Sequence, residues 1–254
     1  MGTFWETALQ NYVKEYYSHP NDFLRQHYIS FTTHPNIESL AINCYEVLKK
    51  DELFYKEIFP RLKEERIGNP YKFSLFPSCS PKTIMQLYQF KIIYDLLKIH
   101  LFKDVNHIFE IGSGYGSLCV LMRNLGFDKR FTMIDFPEML DIQKDFIKRN
   151  ELESDRNEFY KVKEVPNIKI EENSILYASF SINEMPLSDR KIIEPIYNKF
   201  KYIFIEHNSI FDKINNYDYF EEIGKVLKDK FNFKHFRNEL RLKQKTWFMI
   251  GSKF

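Results

Sequence analysis

The sequence has only three cysteines, Cys44, Cys79 and Cys119, far apart and odd in number. That excludes a disulfide framework, and their spacing matches no zinc site. A reducing compartment is the simpler fit. No stretch approaches the roughly 20 apolar residues needed to span a bilayer. A basic region followed by an apolar signal core is also missing from the N-terminus. These absences predict a soluble, cytoplasmic protein with no integral membrane segment. An excess of one charge is lacking too: 37 basic and 35 acidic residues leave a formal charge of +2. Such a balance supplies no global field for nucleic acid, so nucleic acid is not an expected partner. Neither H-x-x-x-H nor H-E-x-x-H occurs. His19, His27 and His34 therefore read as packing or turn residues, and no metal site is assigned.

What the chain does have is apolar and aromatic bulk. Of its 254 residues 44% are apolar and 17% aromatic, with 25 Phe and 16 Tyr. This permits a real core in one large domain, or in one domain with a sizeable extension. Phe4, Trp5, Leu9, Tyr12, Val13 and Tyr16 recur at helical spacing. Turn signals interrupt at Ser18-His19-Pro20-Asn21 and Thr33-His34-Pro35-Asn36. Helical patterning returns over 37–50 and from Leu53 towards Arg66. Residues 67–82 are broken by Gly68, Pro70, Pro77 and Pro81. They read as a partly extended segment, either lying across the mouth of the following domain or packed as a surface linker. Ser80-Pro81 then opens a helix that runs to about Ile99.

After residue 100 the pattern becomes strand and helix in alternation. An apolar strand, Val105–Ile111, runs into Phe109-Glu110-Ile111-Gly112-Ser113-Gly114-Tyr115-Gly116, and a helix follows to about Leu125. Glycine permits positive φ and close approach of a ligand to the backbone. The helix turns free amides and the positive end of its dipole towards the turn. Strand, glycine turn and helix together make a cofactor place, with a plain structural turn as the alternative. Arg130–Ile134 forms a second strand ending at Asp135. An acid there accepts two hydrogen bonds from ribose hydroxyls, or else caps the helix beginning at Pro137. A third strand is expected within 151–172.

Ser174–Phe180 is the fourth strand and leads into Ser181-Ile182-Asn183-Glu184-Met185-Pro186. Ligands bind outside the C-terminal ends of parallel strands. Glu184 is thus a candidate for orienting a hydroxyl, binding a cofactor amine or holding a catalytic imidazole, with a local cap or ion pair as the alternative. Lys201–Ile205 is the fifth strand, and Glu206-His207-Asn208 is placed just past it. Neutral imidazole at that edge can take a proton from a hydroxyl near pH 7, with Glu206 or Glu184 to orient it. A histidine satisfied by nearby backbone is the alternative. Phe231–Arg237 and Lys245–Ile250 make a terminal hairpin separated by a charged segment, Asn238 to Gln244. The glycines run G-x-G-x-G, and Ser117 stands where the dinucleotide fingerprint needs glycine, which argues against a nicotinamide-dependent oxidoreductase.

The glycine motif, Ile134-Asp135-Phe136-Pro137-Glu138 and Ser179-Phe180-Ser181-Ile182-Asn183-Glu184-Met185 carry a resemblance. Residues 105–254 resemble class I S-adenosylmethionine-dependent methyltransferases. More narrowly, the chain is similar to the sugar O-methyltransferase family found in bacterial surface-polysaccharide gene clusters. The resemblance implies an α/β, Rossmann-like seven-stranded sheet with an N-terminal α-helical extension. Residues 1–100 would be the extension, a substrate cap and a homodimer contact, and 101–254 the methyltransferase domain. The implied cofactor is S-adenosyl-L-methionine. Glu110, Gly112, Ser113, Gly114 and Gly116 would frame its methionine part and ribose. Asp135 would bind the ribose hydroxyls, Phe136 would lie near adenine, and Ser179 beside the cofactor. The implied acceptor is a carbohydrate or nucleotide sugar. Tyr71, Phe73 and Tyr115 are candidates to stack on it. Strand position, not the family, assigns catalysis to His207 and Glu184. The rival functions are a small-molecule O- or N-methyltransferase and a non-catalytic cofactor-binding module.

Overall fold

The computed structural model describes residues 4–33, 37–241 and 245–254. Most of the expected turn at 33–36, with His34, and the end of the charged segment at 242–244 lie outside the described residues. In chain order the helices α1 (Phe4–Ser18), α2 (His27–Thr32), α3 (Glu38–Leu48), α4 (Pro81–Leu97) and α5 (Leu101–Asp104) come first. Then follow β1 (His107–Ile111), α6 (Ser117–Asn124), β2 (Arg130–Ile134), α7 (Pro137–Arg149), β3 (Asn157–Tyr160) and β4 (Ser174–Ser179). The remainder is α8 (Leu187–Ile193), β5 (Tyr202–Asn208), β6 (Ile210–Phe211), β7 (Ile214–Asn215), α9 (Asn216–Leu227), β8 (Phe231–Arg237) and β9 (Thr246–Lys253).

The chain divides into two compact units. The first is Met1–Lys91, Gly114–Phe127 and Pro137–Ser154. The second is Ile92–Ser113, Asp128–Phe136 and Asp155–Phe254. In the first unit α1 packs on α2 and α7. The Tyr16 hydroxyl donates to Asp145 Oδ2 at 2.5 Å, and the Phe23 ring meets Phe146 edge-on at 5.8 Å. Tyr115, between two glycines of the motif, is only 2% exposed and lies edge-on to both Phe23 and Phe146. Phe73 is fully buried, and the Arg25 guanidinium covers the Tyr71 ring at 3.7 Å. Phe73 and Tyr115 are thus core residues of the helical unit, and neither offers a face for sugar stacking. Their apolar rings stabilise more by burial than they would on a wet surface.

The second unit holds every described strand of the large sheet. Seven strands run in the order β3-β2-β1-β4-β5-β9-β8, β1 to β5 parallel and β9 antiparallel to both its neighbours. This is the expected α/β, Rossmann-like seven-stranded sheet. All five residues of β1 are buried, as a central parallel strand covered on both faces requires. One face carries Phe109, Ile111, Leu176, Ala178, Ile203 and Ile205, packed with Ile193, Ile196, Phe200 and Phe220 from α8, the turn after it and α9. The third strand, unplaced by pattern, is β3, paired through Phe131↔Asn157 to Ile134↔Tyr160. The fifth strand is longer than its apolar run. Its parallel pairing with β4 ends at Ser179↔Glu206, but β9 continues to pair through His207↔Trp247 and Asn208↔Thr246. His207 therefore lies within the strand rather than beyond it.

Candidate functional site

The register brings the sequence motifs to one edge. Ile111, the last residue of β1, pairs with Ile134 on β2 and Ala178 on β4. Gly112, Asp135 and Ser179 are the next residues along three adjacent parallel strands. Neighbouring strands lie about 4.8 Å apart, so Asp135 and Ser179 flank the start of the glycine loop on either side.

The loop is left-handed at each glycine, with φ of +73° at Gly112, +56° at Gly114 and +90° at Gly116. Side chains with a Cβ are strained there. Gly112 N–H donates to Ile134 O at 2.8 Å, tying the loop to β2. A Cβ on Gly112 would run into Ser181 Cβ, and the Ser181 hydroxyl itself donates to Ile111 O. The first glycine thus makes room for a side chain of the loop after β4. Ser181 was legible only as part of a motif, and no local signal ties it to Gly112. Ser113 is 5% exposed and points its hydroxyl back to Glu110 O at 3.4 Å. In the first unit Gly114 O accepts from Gln143 Nε2 at 2.9 Å, and Gly116 caps α6. Gln143 is a loop partner that the sequence did not announce.

Glu110 is buried on β1, opposite Tyr177 of β4. Burial pushes the Tyr177 hydroxyl well above its ordinary range, and the charges of Glu110 and Glu206 add to the rise. Asp135 is half-buried. Its Oδ1 accepts from the Phe136 N–H at 2.9 Å, which holds the carboxylate at the mouth of the turn ahead of α7. Phe136 is 40% exposed.

The β4 end is fastened through Glu206, 2% exposed. Its carboxylate accepts from Ser179 Oγ at 3.2 Å and Asn238 Nδ2 at 3.0 Å, with Arg241 Nε 3.7 Å away. The Arg241 guanidinium also lies 4.7 Å over the Phe180 ring. Phe180 is held at φ +54°, a left-handed conformation that costs free energy in a bulky residue. Glu184 is half-buried on the short turn Ile182–Glu184. Arg190, fully buried, donates from Nε to Met185 O at 3.0 Å and from Nη2 to Asn183 O at 2.7 Å. The two carbonyls on either side of Glu184 are therefore held by one guanidinium.

Glu206 and His207 point to opposite faces, as successive strand residues must. Glu206 does not orient His207. The His207 ring is fully buried, with Nδ1 3.0 Å from Asn208 O and Nε2 2.9 Å from His235 Nε2. His235 Nδ1 in turn lies 2.5 Å from Glu221 Oε1. Burial lowers the His207 pKa to about 3 against the lift of the Asn208 carbonyl, with His235 and Arg190 lowering it further. At pH 7 the ring is neutral with both nitrogens engaged. His207 and Glu184 sit at the ends of adjacent strands, β5 and β4, whereas Glu110, Gly112 and Asp135 belong to β1 and β2. Among the described residues no three His, Cys, Asp or Glu side chains are placed to hold a metal ion, and no helix is long and apolar enough to cross a membrane.

No family model matches the sequence, and a search of curated proteins finds no relative. Solved structures do match. The methyltransferase domain of bacterial CtHen1 aligns over 66% of this chain and 98% of its own, with TM-score 0.50 and 11% identity. An rRNA methylase from Streptococcus thermophilus aligns over 64% and 95%, with TM-score 0.49 and 13% identity. An O-methyltransferase family protein from Burkholderia thailandensis aligns over 87% and 74%, with TM-score 0.45 and 11% identity. At these identities the likeness is one of fold, and the fold is that of the class I methyltransferases.

Proposed function

We propose that the chain is an S-adenosylmethionine-dependent O-methyltransferase acting on a sugar or sugar-linked group of a bacterial surface polysaccharide or its nucleotide-linked precursor. The observation that carries the cofactor is the register at the sheet edge. It sets a loop with three left-handed glycines beside an acid one strand away, at the C-terminal end of a parallel sheet. That donor set fits a nucleoside with an amino-acid tail. Asp135 would accept hydrogen bonds from the ribose hydroxyls, Glu110 would face the cationic amine, and Phe136 would offer an apolar ring to adenine. Gly112, Ser113, Gly114, Gly116 and Ser179 supply backbone and short side chains that let a ligand come close. The bound cofactor would supply an electrophilic methyl group. The acceptor class is carried by the motif resemblance, and residues 1–100 keep the role of a substrate cap.

The chain's own part in the chemistry is to orient a hydroxyl and hold its proton. Glu184 suits this, because Arg190 fixes the carbonyls on both sides of it. His207 suits it in being neutral at pH 7, but accepting a proton at Nε2 requires parting from His235. Replacing Glu184 by Gln is therefore expected to slow methylation more than replacing His207 by Gln, with cofactor affinity kept in both.

Calorimetry with S-adenosylhomocysteine and, separately, NADH tests the cofactor. Binding of S-adenosylhomocysteine alone is expected; binding of NADH alone would sink the proposal. Transfer of radiolabelled methyl from S-adenosylmethionine to nucleotide sugars and extracted surface glycans tests the acceptor, with phenols and amines as rival acceptors.

A further inference from the structure

The second glycine of the loop is gripped by the amino-terminal helices. A Cβ on Gly114 would lie 3.2 Å from Thr33 Cγ2 and 3.4 Å from Thr33 Cβ. Thr33 follows α2, and its side chain is fixed in turn. Its Oγ1 lies 2.9 Å from the Tyr12 hydroxyl of α1 and 3.4 Å from Ile29 O. A carbonyl can only accept, so Thr33 donates to Ile29 and accepts from Tyr12. Tyr12 is 1% exposed and makes that bond from within the helical core. On the carbonyl side of the same glycine, Gln143 of α7 donates to Gly114 O at 2.9 Å. The next residue, Tyr115, is packed among rings of the same helices. The left-handed backbone at Gly114 is therefore flanked by side chains from both ends of the first unit, and the Thr33 methyl fills the space that a side chain on Gly114 would need.

We propose that Thr33, held by Tyr12, is a positioning residue for the glycine loop, so that the amino-terminal helices take part in binding S-adenosylmethionine and not only in covering an acceptor. This rests on the cofactor reading of the loop given above. A loop that is already in its bound shape loses less freedom when a ligand arrives, and affinity rises by that difference. Tyr12 reaches Gly114 through Thr33, whose hydroxyl it holds. The hydroxyl pair and the methyl contact should therefore behave as one coupled unit.

The test is calorimetry on the full chain with S-adenosylhomocysteine as the probe. Tyr12→Phe and Thr33→Val each remove one hydroxyl with little change of volume. Each is expected to weaken binding about five- to tenfold, the size of one net hydrogen bond. The double variant is expected to bind no more weakly than the weaker single, because the two share one interaction. Wild-type affinity in both singles, or losses that multiply in the double, would overturn the proposal. A second pair guards against a general loosening of the fold. Gly114→Ala places a methyl against Thr33 and should weaken binding. Adding Thr33→Ser removes the opposing methyl and should recover part of the loss, whereas a merely structural Thr33 would make the double variant worse. No recovery counts against the positioning role. Failure of the wild-type chain to bind the probe at all would instead remove the cofactor reading beneath it.

Discussion

Lowering the pH from 7.5 to 5 should cost this protein about 2 kcal/mol of stability through one side chain, His107, which has no place in the proposed chemistry. His107 opens β1 and is fully buried. Its Nε2 lies 2.8 Å from Thr132 Oγ1, and that hydroxyl donates to Glu158 Oε2 at 3.0 Å. Thr132 has one proton to give, so His107 must be the donor, and Nδ1 is left as a bare lone pair. Nδ1 is buried with no hydrogen-bond partner among the described residues. Protonation would place a charged N–H in that spot. Burial, and then the charge of Arg130, lower the pKa from 6.5 to about 3. The folded state thus binds this proton less tightly than the unfolded state. The stabilisation is complete above pH 6.5 and drains away as the pH falls towards 3. At pH 5 about 1.5 units of the window have been crossed, at about 1.36 kcal/mol per unit. His207, with a pKa also lowered to about 3, should lose a like amount. Urea unfolding followed by circular dichroism at pH 7.5, 6.5 and 5 measures the sum. His107→Gln keeps a donor and cannot titrate, so its pH-dependent loss should be smaller than the wild type's by about 2 kcal/mol. Parallel stability curves for the two proteins would refute the reasoning.

Gly112→Ala should lower stability by about 2 kcal/mol or more, since the new methyl meets Ser181 at a strained φ; a thermal melt checks it, and an unchanged midpoint counts against the packing role. Asp135→Ala should weaken S-adenosylhomocysteine at least about tenfold by removing hydrogen bonds to a charged acceptor; unchanged calorimetric affinity would take Asp135 out of the site. Arg190→Lys should cost about 2 kcal/mol in denaturant unfolding, because an ammonium cannot span the Asn183 and Met185 carbonyls as the planar guanidinium does.

What could be seen in the sequence was what is local. The apolar run of β1, the glycines after it and the acid after β2 lie within about thirty residues and obey short-range rules, so the fold class and the strand-end position of the glycine turn were legible together. The third strand was obscure because three of the four β3 residues are only half-buried, which leaves no clean apolar run among the surrounding charges. The end of β5 is not visible in its own residues, because the last of them are kept in the strand by β9, far along the chain. The same distance hid Ser181 and Thr33. Glycine advertises a tight backbone but does not say which side chain will fill the space it leaves. Aromatic rings at 73 and 115 looked available for sugar because composition cannot separate a groove from a core.

The position of β9 has a consequence for synthesis. Of the described strands it comes last in the chain, yet it lies between β5 and β8. Until it arrives, β5 and the facing side of β8 each present an open row of backbone donors and acceptors, two templates for wrong pairing that the finished sheet, with its edges at β3 and β8, no longer offers. Closing the sheet also joins segments distant in sequence, a slow kind of contact to form. Nascent chains stalled before Thr246 should therefore be the species that chaperones hold.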